Sequence, residues 1–359
     1  MSLRVPVTVL TAAMVSAGAS VATFVPSARA DGPNGGDYQV TVLASGNSTM
    51  FGPDDITMLD NDLFVGFQNG VSPTGGGGLD GNSTIAEYAR TGGDPIQTWS
   101  VTGKCDGLTA DPANNRVIGT LNEDGNTSLF TIDPPSTTVT TYSYSGVPHG
   151  GGTDAISIYD GQILISASAP DTTPTAAYPD VPAVYVAQLS GSTASLTPLF
   201  NDNAQAALSN MGPNEGQSTT LALSDPDSNG VVPTSAPRFG GAFVLDGQGD
   251  QQQIYMGGDG NGSPTGLSVL NLSQAIDDTA WATSSDGTLY ATDSADNEIV
   301  AITGHLRQDG PYVVATPADS NNAPANPGPN YLGVLDMRTG KVIAVPGVTI
   351  QPKSMIFAR

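Results

Sequence analysis

One two-strand layout recurs along this chain and limits what it can fold into. An acidic residue opens an apolar alternation, and a second, more apolar segment follows after a Gly, Asn or Asp turn. Asp54-Asp55-Ile56-Thr57-Met58 precedes Leu63–Phe67, and Asp106-Gly107-Leu108-Thr109-Ala110 precedes Val117–Thr120. Asp154-Ala155-Ile156-Ser157-Ile158 precedes Ile163–Ile165, and Asp277-Asp278-Thr279-Ala280-Trp281 precedes Leu289–Thr292. Weaker copies are Phe239–Phe243 before Ile254–Met256, and Pro352–Phe357 near the C-terminus. Alternation of period two, bounded by turn residues, is the mark of a strand. The first strong copies, at Asp55, Asp106 and Asp154, are about 50 residues apart, the length of a propeller blade of four short strands.

The expectation is an all-β chain: one β-propeller domain of four-stranded antiparallel blades, six in number, with seven as the alternative. A β-sandwich is the competing arrangement. Only Ala204–Met211 and Ser273–Asp278 offer a turn or two of helix. Residues 201–237 and 317–329 read as surface loops, each long enough to hide a further strand pair. Tyr38–Ala44 is expected to join the last blade, because an open ring would expose unpaired strand edges.

Residues 1–30 read as a secretory signal. Arg4 supplies the positive start, an apolar stretch runs from Val5 to Val25, and Ala28-Arg29-Ala30 is a small-residue cleavage site. The propeller domain is then 31–359, and the protein is expected outside the cell. The chain carries 34 acidic and 11 basic residues, a net charge of −23. Losing residues 1–30 removes Arg4 and Arg29 and no acid, which leaves −25. Such a surface repels phosphate backbones and anionic lipid, which excludes nucleic acid and membrane surfaces as partners. No later apolar run is long enough to span a bilayer. The single cysteine, Cys105, can form no internal disulfide. A monomer is expected, with a small molecule or an extracellular protein as partner.

The segment Asp278-Thr-Ala-Trp-Ala-Thr-Ser-Ser-Asp286-Gly287, continuing through Asp293 and Asp296-Asn297 to Ile302, resembles one repeat of the NHL and SMP-30/gluconolactonase group of propellers. Cys105-Asp-Gly-Leu-Thr-Ala-Asp111 is similar but shorter. The resemblance implies a propeller. In SMP-30-like lactonases it also implies a divalent metal in the funnel, held by a glutamate, two asparagines and an aspartate. Asp106, Asp154 and Asp278 match that set by position but mostly not by residue type. Asp54 and Asp55 stand where the glutamate of the first blade is expected.

If each acid begins the innermost strand of its blade, Asp55, Asp106, Asp154 and Asp278 converge on one channel. Converging carboxylates must protonate, gain cations or bind a metal. Oxygen ligands of this kind suit Ca²⁺, which makes these four the candidate metal ligands and calcium the candidate cofactor. The alternative is that each Asp caps its own strand by a local hydrogen bond. Arg238 and Lys353 stand near the equivalent place in the weaker repeats, as neutralising cations or as ligands for an anionic group. His149, in Val147-Pro-His-Gly-Gly-Gly-Thr-Asp154, is a candidate general base; His305 sits in a Gly/Arg loop with no such task. Glu215 is a candidate extra ligand, and Asp225-Pro-Asp227-Ser-Asn229-Gly230 reads as a turn-rich loop. No complete catalytic pair is present. A secreted binding or scaffold module is therefore the first expectation, with a metal-dependent hydrolase or lactonase and a cell-surface interaction module as alternatives.

Overall fold

The computed structural model describes residues 38–145, 152–168, 181–258, 266–308, 310–316 and 329–359. Every regular element of length among these residues is a strand; the one helical turn is a 3₁₀ turn at Pro112–Asn114. His149, residues 317–328 and residues 1–30, the span expected to be a signal, lie outside the described residues.

In chain order, β1 (Gln39–Ser45) is followed by four strands of one antiparallel sheet: β2 (Pro53–Leu59), β3 (Asp62–Phe67), β4 (Asn82–Ala89) and β5 (Gln97–Thr102). The next array is β6 (Cys105–Asp111), β7 (Arg116–Leu121), β8 (Ser128–Ile132) and β9 (Val139–Ser145). It is joined to β10 (Thr153–Tyr159), β11 (Gln162–Ala167), β12 (Pro182–Ser190) and β13 (Thr193–Asn201) by parallel pairing of β9 with β13. The short strands β14 (Gln205–Leu208) and β15 (Ser218–Thr220) extend the outer edge of the sheet formed by β16 (Pro226–Val231), β17 (Phe243–Gly247), β18 (Gln252–Met256) and β19 (Leu267–Asn271).

The last part of the chain is interlaced. After β20 (Ala275–Ala282), the hairpin β21 (Thr288–Asp293) and β22 (Glu298–Thr303) joins a different sheet. The chain then returns with β23 (Gly310–Thr316), β24 (Tyr331–Asp336) and β25 (Lys341–Ala344) to pair against β20, and ends in β26 (Pro352–Ala358). The hairpin is held between the two terminal strands, β26 on one side and β1 on the other. The N-terminal strand thus joins the sheet of the C-terminal strand, as expected.

The strands β2, β6, β10, β16, β20 and β26 touch one another in that order, and β26 touches β2, so they close a circuit around one axis. The remaining strands radiate outward in a propeller-like arrangement. Each second strand is sandwiched between neighbouring arrays, which is why it is apolar on both faces. Leu63, Val65 and Phe67 of β3 pack with Ile299 and Ala301 of β22, while Phe64 packs with Trp99, Val117 and Phe130 on the opposite side. Each fully buried side chain of this size stabilises the fold by about 1.5–3 kcal/mol.

Several expectations are corrected. Residues 201–237 hold β14, β15 and β16, and β16 is an inner strand, not a loop. Ala204–Met211 and Ser273–Asp278 make no helix; β14 and the start of β20 occupy them. Phe239–Phe243 is not an inner strand, since β16 takes that place and pairs with β17. The pair Asp277–Trp281 and Leu289–Thr292, the core of the NHL-like segment, is divided between two sheets. Local alternation makes a hairpin, but it does not fix which sheet edge the hairpin joins.

Candidate functional site

The six inner strands share one irregularity. Each has an extra residue in its ladder at the same place: between Pro53 and Ile56, Cys105 and Leu108, Thr153 and Ile156, Pro226 and Asn229, Ile276 and Asp278, and Pro352 and Met355. A bulge bends the strand and re-aims its side chains. Directly after its start lie Asp54, Asp106, Asp154, Asp227, Asp277 and Lys353, five aspartates and one lysine at one register. All six line a single cavity of about 960 Å³ on the channel axis. Beyond that register the inner strands turn largely apolar.

Contacts between inner strands confirm the alignment. Asp55 accepts a hydrogen bond from the Leu108 amide of the next inner strand. Asp278 does the same for the Met355 amide at 2.6 Å. Each also accepts the amide of its own successor, Ile56 at 2.8 Å and Thr279 at 2.7 Å. The Ser354 hydroxyl donates to one or the other, lying 2.6 Å from Asp55 and 3.1 Å from Asp278. Asp55 and Asp278 line the cavity but are committed to hydrogen bonds: the one from each one's own successor is the local capping alternative, and the one from the next inner strand goes beyond it. They stand one residue beyond the register of Asp106 and Asp154, and a one-residue shift sends a side chain to the other face.

Asp106 and Asp154 meet a third acid. One ligand oxygen from each of Asp106, Glu123 and Asp154 lies within 4.8 Å of the others. Glu123 follows β7 on the loop that returns over the channel mouth. Asn122 fixes that loop in a left-handed conformation (φ 66°), with its Oδ1 accepting the Lys104 amide and its own amide donating to the Lys104 carbonyl, both at 2.8 Å. Two glycines let the pieces close up. A Cβ on Gly107 would lie 2.6 Å from Ala155 Cα, and one on Gly152 would lie 2.0 Å from the Glu123 carbonyl oxygen.

Two cations face these acids. The Lys104 ammonium pairs with Glu123 and lies 3.5 Å from Asp106. Lys353 pairs with Asp277 at 3.1 Å. Arg238 is elsewhere: it donates to the carbonyls of Ser209 and Met337, pairs with Glu215 at 3.2 Å and stacks on Phe239. It does not line the channel, and Glu215 serves Arg238 and not the mouth. Lys353 is the one of the two expected cations that the fold brings to the axis. His305 lines no part of this cavity.

Burial dominates the electrostatics. It pushes the carboxyls of Asp106, Asp154 and Asp227 well above the usual range, and the neighbouring acids add to the rise. Burial also raises Asp54, and raises Asp55 to about 7. Burial acts on Glu123 in the same sense, but the hydrogen bond with Asp106 and the Lys104 charge outweigh it and hold Glu123 low. Asp277, with its neighbouring charge Asp54, lifts Lys353 above its ordinary value. The Asp154 carboxylate has neither a hydrogen bond nor an ion-pair partner among the described residues, although only 8% of the residue is exposed.

Asp54, Asp154 and Asp277 were visible in the sequence as acids opening strands; Asp227 and Glu123 were not placed there. Their signals were Pro-Asp at the start of Pro226–Val231, matching Pro53-Asp54, and an acid two residues past a second strand.

No known family profile matches the chain, and no curated protein matches it. Among solved structures it is similar to the hydrazine synthase of Kuenenia stuttgartiensis, at 13% identity and a TM-score of 0.43 over 84% of this chain and 68% of that one. It is also similar to the glutaminyl cyclase of Myxococcus xanthus (13% identity, TM-score 0.35, 83% of this chain and 97% of that one). A third is the PQQ-bound aldose sugar dehydrogenase of Streptomyces coelicolor (11%, 0.32, 75% and 98%).

Proposed function

We propose that this protein is an exported six-bladed β-propeller that works as a binding module, with a divalent cation of the calcium class at its channel mouth. The circuit of six inner strands supports the blade count. One observation carries the cation: Asp106, Glu123 and Asp154 bring three carboxylate oxygens within 4.8 Å, and the buried Asp154 has no counter-charge in contact. Ligands on opposite sides of a calcium ion are about 4.8 Å apart, since each lies about 2.4 Å from it. Three carboxylates supply hard oxygen donors, and the ion would complete its shell with water or ligand oxygen. Lys104 occupies part of this space and must turn aside when the ion enters.

The test is metal content of the purified protein, together with its melting temperature in calcium and in chelator. Bound metal and a higher melting temperature in calcium support the reading; equal melting in both, with no metal, removes it. Export is tested by N-terminal sequencing of protein from the medium, which should begin at Asp31.

The NHL and SMP-30/gluconolactonase likeness supports a second reading, a metal-dependent hydrolase of lactonase type. One feature favours it: Glu123 supplies a glutamate beside two aspartates, the residue type that the first blade lacks. Calcium-dependent turnover of a simple lactone separates an enzyme from a binding module.

A further inference from the structure

On the inner strand next to that of Asp154, a second part of the mouth has no cation to spare. Asp227 lines the cavity and makes no side-chain hydrogen bond or ion pair among the described residues, and Lys353 is engaged by Asp277. Two residues along the same strand, Asn229 donates its Nδ2 to the Ala155 carbonyl at 2.9 Å, which fixes the amide orientation. Its Oδ1 is buried with no donor. The cavity then continues past the aspartates along Ile56, Leu108, Ile158, Val231, Trp281 and Phe357. Within this part Trp281 is 7% exposed with a partnerless Nε1, and Ser157 is 6% exposed with a partnerless Oγ. From the aspartate register to Trp281 is four residues, about 13 Å of strand.

We propose that the channel binds an amphipathic organic ammonium, its head held by Asp227 and the Asn229 carbonyl and its hydrocarbon body laid along the apolar lining. An ammonium is donor-only, and an acceptor-only carboxylate with an unfilled carbonyl is its complement. Trp281 Nε1 and Ser157 Oγ stand ready to donate to an oxygen carried on that body. The inference rests on the binding-module reading of the channel and not on the cation, because Asp227 is not one of the triad.

Calorimetric titration of the intact protein in chelator tests it, with n-hexylammonium as the probe. It should bind on the order of 100-fold tighter than ethylammonium, which lacks four methylenes. It should bind about 10-fold or more tighter than n-hexanol, which lacks the charge, and than n-hexyltrimethylammonium, which lacks the N–H donors. Asp227→Asn should weaken it about 10-fold, whereas Arg238→Ala, which lies outside the channel lining, leaves it unchanged. The probe should also shift tryptophan emission, and Trp281→Phe should abolish the shift while Trp99 remains. Failure of hexylammonium to bind, or equal affinity for the trimethyl or alcohol probe, overturns the proposal. The probe comparisons use the unaltered protein and so decide the matter even if Asp227→Asn does not fold. Because no divalent cation is present, the outcome is separate from the calcium test.

Discussion

Asp54 and Asp55 are neighbours in one bulge, as are Asp277 and Asp278 in another, yet the two members of each pair serve different ends. Asp55 and Asp278 are saturated: each accepts its own successor's amide, an amide of the next inner strand and the Ser354 hydroxyl, or a share of it. The residues at the register of Asp54 and Asp277 face the channel, where Asp154 and Asp227 have no contact partner of either kind among the described residues. The lesson is that carboxylates in one cavity are not one group. Hydrogen bonds to backbone amides turn an acid into a strand fastener, and their lack leaves it open to a ligand.

The largest test of this division is removal of a fastener. Asp278→Ala strands the Thr279 and Met355 amides, and Asp55→Ala strands those of Ile56 and Leu108. Each buried orphan costs about 1–3 kcal/mol, so either variant should lose about 3 kcal/mol in urea unfolding. Asp154→Asn should stay within about 1 kcal/mol of the parent in chelator, or be more stable, because it removes a buried charge with no contact partner. Equal losses at Asp154 and Asp278 would break the comparison.

Calcium should then act only through the open acids. At a hundredfold excess over its Kd it should add about 2.7 kcal/mol of stability. Asp154→Asn should abolish that gain, and Asp278→Asn should retain it. Lys104→Met frees Glu123 and Asp106 from a competing ammonium, so it should tighten calcium binding and destabilise the chelated protein. Calorimetry with calcium on the three variants reads all of this. Unchanged affinity in Lys104→Met would mean that the ion lies elsewhere.

A separate effect comes from protons. Asp246, buried among Ser228, Gln253 and Thr279, is raised to about 6, mainly by burial, and Asp55 to about 7. Both folded values lie above the ordinary 3.8, so the folded protein keeps a proton that the unfolded chain has released. Their contribution is whole below about pH 4 and is lost as pH rises through 6 and then 7, by at most about 1.4 kcal/mol per unit for each group. Melting in chelator between pH 4.5 and 8 should show this fall, and Asp246→Asn should flatten its lower part. A rise over that window would contradict the buried state of both acids.

How much of this could be read beforehand follows from which residues carry the signal. Leu63–Phe67 or Ile163–Ile165 announce strands because they are buried on both faces. The acids announce a channel because they precede such strands. The register was hidden, because a bulge adds one residue that side-chain patterning does not reveal, and Asp55 and Asp106 therefore looked equivalent. Pro226–Val231 was hidden for a different reason: Pro-Asp-Ser-Asn-Gly has the composition of a turn and is a strand only through its pairing with β17. The exchange of the β21–β22 hairpin between sheets was likewise out of reach, since each hairpin pattern is complete in itself.

The smallest expected effect concerns the basic residues, where Lys353 and Arg238 form a second contrast. Lys353 reaches the channel because it occupies the register of the aspartates. Arg238 precedes Phe239, outside the inner strands, and ties the carbonyls of Ser209 and Met337 together at 2.5 Å each. Its guanidinium also lies 5.0 Å from the centre of the Phe239 ring. Arg238→Ala should cost about 1–2 kcal/mol through the two carbonyls it leaves, some of which water recovers, since the side chain is partly exposed. The Glu215 pair adds little, because Glu215 is exposed and solvent screens it. Calcium affinity and hexylammonium affinity should both be unaltered in Arg238→Ala, whereas Lys353→Met should change the charge of the mouth and raise affinity for either cation. If Arg238→Ala moved those affinities as much as Lys353→Met, the channel field would extend well beyond its own lining, and the division between fasteners and open acids would no longer be local.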